Sequence, residues 1–200
     1  MVESENSARE EIAFIRRAID QGRGYAEARS LDMFLWGIAI AAGYLGTYAT
    51  VVGWWPVDIG WVWTICIVLP CIYSLRRFFL RRCAQPHVTP SLQGLRVLWL
   101  GCGIFLTALS VLLQMTGEIR QGWYNAVAAG VMGIGFLVTS SLVNLLWLRW
   151  IAIAWGLAAV LLYAIRRDVE VLPASAALML LLLALPGFVL WRSQSASAKT

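Results

Sequence analysis

The chain has 200 residues, a formal net charge of +5, 60% hydrophobic and 14% charged residues, and a mean hydropathy of +0.72. A soluble domain carries about a quarter charged residues, so this composition excludes a water-soluble globular enzyme or binding module. Nor does the positive charge mark a nucleic-acid binder, because 15 of the 16 cations are arginines that mostly flank apolar stretches.

The first 32 residues read as a cytoplasmic segment. Ser7 and Glu10 are spaced as a capping box. Ile12, Ile15 and Ile19 then share one helical face, with Arg16, Arg17, Asp20 and Gln21 opposite. This predicts a short amphipathic helix on the membrane surface, closed by Gly22 and Gly24. The first long apolar run begins only near Met33, behind a charged segment, so the expectation is a retained anchor and not a cleaved signal. Ser30 and Asp32 suit the start of that first span.

A spanning helix needs roughly 20 apolar residues. Six stretches qualify, at about 33–52, 57–74, 95–115, 122–143, 145–165 and 171–191, followed by a tail over about 192–200. The fold class expected is all-α: a polytopic membrane protein with six transmembrane helices in a compact bundle, preceded by the amphipathic helix. Arginines sort by side. Thirteen cations, among them Arg76, Arg77, Arg81, Arg82, Arg96, Arg149 and Arg192, fall on the side of the N-terminus, and three, Arg120, Arg166 and Arg167, on the other. The positive-inside rule then predicts the cell's inner (cytoplasmic) membrane with both termini in the cytoplasm.

Between spans two and three, about 75–94 reads as a long cytoplasmic loop. Its paired arginines Arg76, Arg77, Arg81 and Arg82 surround Phe78, Phe79 and Leu80 and are candidate contacts for anionic lipid. Pro70 and Pro186, toward the inner ends of spans two and six, predict kinks. The link around Asn144 is so short that spans four and five must be antiparallel neighbours. Tryptophans near the span ends, with Trp54, Trp55, Trp61 and Trp123 outside and Trp36, Trp99, Trp147, Trp150 and Trp191 inside, are expected to form aromatic belts. Asp58, Glu118, Asp168 and Glu170 stand at outer helix starts, where the helix dipole favours acids. A partial match between 38–43 and 151–156, with Leu-Pro pairs at 69–70 and 185–186, hints at a repeat of the first hairpin in the third.

Catalytic chemistry is poorly supplied. No Asp, Glu, Lys or His falls mid-span, and intramembrane charge is what commonly marks ion or proton pathways. One histidine, His87, gives neither bis-His haem ligation nor a zinc pair. Cys66, Cys71, Cys83 and Cys102 have no CxxC spacing. No catalytic, metal or cofactor residues are therefore expected. The polar residues Gln114, Asn125, Thr139, Ser140, Ser141 and Asn144 are candidates for interhelical hydrogen bonds or a narrow polar pathway. Ala126 with Gly130, and Ala129 with Gly133, permit close helix approach, inside the bundle or at a homodimer seam. The expected partners are membrane lipids, a protein on the cytoplasmic face, or a second copy. The function read from this is a non-enzymatic accessory, sensory or assembly subunit, with a small-solute transporter or channel as the alternative.

Overall fold

A computed structural model describes residues 30–82, 90–117 and 122–197. The amphipathic helix expected near the N-terminus, Cys83, His87, Glu118, Arg120 and Lys199 lie outside the described residues. Among those described, all regular structure is helical, and six helices are long and apolar enough to cross a membrane. They are α1 (Ser30–Val51), α2 (Ile59–Arg82), α3 (Pro90–Thr116), α4 (Trp123–Val143), α5 (Leu146–Ala164) and a last span built from α6 (Val171–Met179), a π turn (Leu180–Ala184) and α7 (Leu185–Ser197).

Three spans run well past their expected ends; the last continues as helix to Ser197, into the tail expected over about 192–200. The loop expected over about 75–94 is a correction: α2 runs on to Arg82 and α3 already begins at Pro90. Nothing between Leu75 and Arg82 breaks a helix, and proline suits a first helical position, where no N–H acceptor is needed. The arginine run is thus helical.

Turns are closed by local backbone chemistry. After α1 the Ala49 carbonyl accepts from both Trp54 N–H (2.8 Å) and Trp55 N–H (3.2 Å), and Gly53 supplies a φ of 83°. Asn144, at φ 54°, ends α4 with its N–H on the Ser140 carbonyl, and α5 starts two residues later. The two prolines act differently. Pro70 sits inside an uninterrupted α2, whereas Pro186 follows the π turn, in which Leu185 N–H reaches back to the Leu180 carbonyl. Proline offers no N–H and crowds the carbonyl four residues back. The wider π turn relieves that crowding.

Helix packing centres on α4, whose span is 44% buried, against 11% for α2 and 6% for α3. Lipid tails are as apolar as leucine, so helices associate through close backbone approach and polar ties. Gly133 on α4 faces Ala152 and Trp155 of α5. Gly37 of α1 lies against the backbone of Ala184, and Gly187 of α7 against Phe34 and Ser30. Rings of Phe34, Phe188 and Trp191 fill the same α1–α7 seam. Trp155 and Phe136, both almost wholly buried, occupy the core with Tyr44, Leu162 and Ala176.

Candidate functional site

Tryptophan indoles and small hydroxyls tie the helices in a repeated pattern. Trp63 of α2 donates to Thr47 Oγ1 of α1 at 3.0 Å, and Thr47 donates back to its own Gly43 carbonyl at 2.8 Å. Trp99 of α3 donates to Thr139 Oγ1 of α4 at 3.2 Å, and Thr139 donates to the Gly135 carbonyl at 2.6 Å. Trp36 of α1 donates to Ser74 Oγ of α2 at 3.2 Å. In the two threonine ties a hydroxyl satisfied within its own helix accepts one bond from a neighbouring helix, which leaves no polar hydrogen of the pair unsatisfied. Trp36 and Trp99, expected in a headgroup belt, are half-buried members of these ties, whereas Trp54, Trp61 and Trp150 are exposed as a belt requires.

One side-chain bond crosses the buried core between α1 and α4: Tyr44 Oη donates to Asn125 Oδ1 at 3.0 Å. The Trp63 ring meets Tyr44 edge-on at 5.3 Å, covering it from α2. Next along α4, Tyr124 Oη donates to the Leu106 carbonyl of α3 at 3.3 Å. At the opposite end of the spans, Arg77 of α2 reaches Asp32 of α1 at 3.7 Å and the Tyr73 hydroxyl at 3.5 Å. Asp32, expected to complement the α1 dipole, is thus also a tie to α2.

The six polar candidates do not gather at one place. Asn125 and Thr139 make interhelical bonds, to α1 and α3 respectively. Ser140 is fully buried and, like Ser141, donates to the Leu137 carbonyl of its own helix. Gln114 is exposed and donates to Ser110 one turn back. Asn144 is the exposed helix cap. Asn125 and Thr139 stand about 21 Å apart along α4, and the buried Ala128, Ala129, Gly133 and Phe136 fill the stretch between them.

Of the small residues, Ala129 belongs to the core, Ala126 packs against it and Gly133 faces α5. Only Gly130 of that set would have open space around an added Cβ. Among the lipid-contact candidates, Arg76 is exposed and Arg77 is engaged by Asp32; the side chains of Arg81 and Arg82 lie outside the description. At the other face Asp58 Oδ1 accepts from Gly60 N–H at 2.8 Å and caps α2, while Glu170 holds the cap position of α6 without a side-chain bond. Among the described residues no three His, Cys, Asp or Glu side chains assemble as a metal site.

Sequence reading missed Trp155. It is almost wholly buried midway along α5, and among the described residues its Nε1 has no hydrogen-bond partner, unlike those of Trp36, Trp63 and Trp99. Its position at the centre of an apolar span is visible in the sequence, but whether a hydroxyl lies opposite depends on the neighbouring helices. Comparison with protein-family models, curated proteins and solved structures finds no match to this chain.

Proposed function

We propose that this chain is a non-enzymatic accessory or assembly subunit of the cell's inner membrane. In this reading the six spans form one compact bundle behind an amphipathic cytoplasmic helix, and both termini are cytoplasmic. The observation that carries it is the uneven burial of the spans. The core is built by α1, α4, α5 and the last span, while α2 and α3 leave most of their apolar surface outward. Two such helices offer a flank on which another membrane protein packs. Further support comes from the polar side chains, which are spent on ties between helices or within them.

Native mass spectrometry of the protein, extracted gently from its own membrane, tests the reading. A stoichiometric protein partner is expected, and a photo-crosslinker at Leu100 or Ile104, both exposed on α3, should join the same partner. A lone chain or homodimer retaining a small non-lipid ligand would replace this reading with the transporter or channel. That second reading is favoured by one observation, the unpartnered Trp155 indole in mid-span. An N–H buried without an acceptor costs about 1–3 kcal/mol, which a ligand oxygen would offset.

Orientation has a separate test. A membrane-impermeant maleimide is expected to label Cys83 only after the cell membrane is opened. Labelling in intact cells would reverse the topology.

A further inference from the structure

The two ends of the bundle treat their arginines differently. Where α1 starts, the described residues carry Arg76, Arg77, Arg81, Arg82, Arg96, Arg149 and Arg192 against one acid, Asp32. At the opposite end Arg166 and Arg167 stand among Asp58, Asp168 and Glu170. There Arg166 is satisfied by the protein itself, donating to the Tyr163 carbonyl at 2.8 Å and lying 4.0 Å over the Tyr163 ring.

Among the described residues, the arginine-rich end offers few such partners. Arg77 has Asp32. Arg76, Arg96, Arg149 and Arg192 form no ion pair and no side-chain hydrogen bond among the described residues. They sit on four different spans, each within four residues of the end of its apolar stretch, a depth of about 6 Å at most. Arg76, Arg149 and Arg192 are exposed and Arg96 is half-buried. A guanidinium fork at this depth snorkels to the headgroups and matches the geometry of a phosphate.

We propose that these four arginines form a collar that binds the phosphates of acidic phospholipids, with Arg77 excluded from it by its bond to Asp32. The collar needs only that the helices span a membrane and is independent of the accessory-subunit reading. It gives α3, the least buried span, a lipid-bridged hold on the bundle through Arg96.

The test is native mass spectrometry of the full chain from micelles holding equal phosphatidylglycerol and phosphatidylcholine. Retention should favour phosphatidylglycerol. Arg76→Gln, Arg96→Gln, Arg149→Gln and Arg192→Gln should each weaken that preference about fivefold, and Arg77→Gln should leave it unchanged. Single changes keep the face strongly positive, so insertion is preserved. Should Arg77→Gln unfold, a salt titration decides, since the preference must fall as ionic strength rises. Equal retention of the two lipids, a preference indifferent to salt, or an Arg77→Gln loss as large as the other four overturns the proposal. Displacement of phosphatidylglycerol by millimolar inorganic phosphate also overturns it, because the ligand would then be the free anion.

Discussion

Gly187→Ala is expected to destabilise the protein by about 2–3 kcal/mol, the range of a clash that cannot relax by rotamer change. An added Cβ would fall 2.6 Å from the Phe34 nitrogen and 2.8 Å from the Ser30 carbonyl oxygen. Both are backbone atoms of α1, so the whole helix must shift. Gly37→Ala meets the same obstacle from the other side, 2.6 Å from the Ala184 nitrogen and 2.8 Å from its Cα. The two glycines share one seam, and once α1 has moved the second change costs less, so the double variant should fall short of the sum. Gly101→Ala, on exposed α3 with nothing within 4 Å of the added atom, is the neutral control. Unfolding in a graded detergent titration reads all four. Wild-type stability for Gly187→Ala would mean that α1 and α7 do not approach as described.

Gly122→Ala should cost about 3 kcal/mol or more, from two sources that a comparison separates. Gly122 has φ 71° at the head of α4, where an L side chain is strained by about 1–2 kcal/mol. Its added Cβ would also collide with the Arg166 carbonyl oxygen in the turn between α5 and α6. Gly53, at φ 83°, and Gly117, at φ 75°, have the same backbone sign and nothing within 4 Å. Alanine at either should therefore show the strain alone. The same titration on the three variants isolates the contact between the α4 start and the α5–α6 turn. Equal losses at all three positions would remove that contact from the account.

Both expectations rest on features that the sequence displays only in part. Glycines at 37, 122 and 187 are visible as letters, and so are Gly94, Gly101 and Gly156. Which of them face a neighbouring backbone is a property of the assembled helices. The polar candidates behaved similarly. Asn125 and Thr139 were legible as bonding residues, because a polar group in an apolar span needs a partner. Their partners, Tyr44 and Trp99, lie 81 and 40 residues away, and no local pattern pairs them. Arg77 shows the same limit: the sequence groups it with Arg76, and the structure separates the two by giving one of them Asp32.

What the sequence alone determined is the helical character and the six runs long and apolar enough to cross a membrane. Runs of apolar residues of bilayer length admit no other hydrogen-bonded backbone in a single short chain, since every N–H must be satisfied within its own segment. The short turns near 52–58, 144–145 and 165–170 followed as well, from the glycine, proline and charged residues between the runs, whereas the loop expected over about 75–94 did not. The tertiary structure decided the remainder. It extended α2 through Arg82 and opened a π turn before Pro186 while leaving Pro70 in a regular helix. It also chose which glycines carry backbone contacts and left Trp155 without an acceptor among the described residues. The physical reason is common to these cases. Between apolar helices there is little hydrophobic drive to choose a face, so close fit and a few long-range hydrogen bonds make the choice, and these exist only once the helices meet.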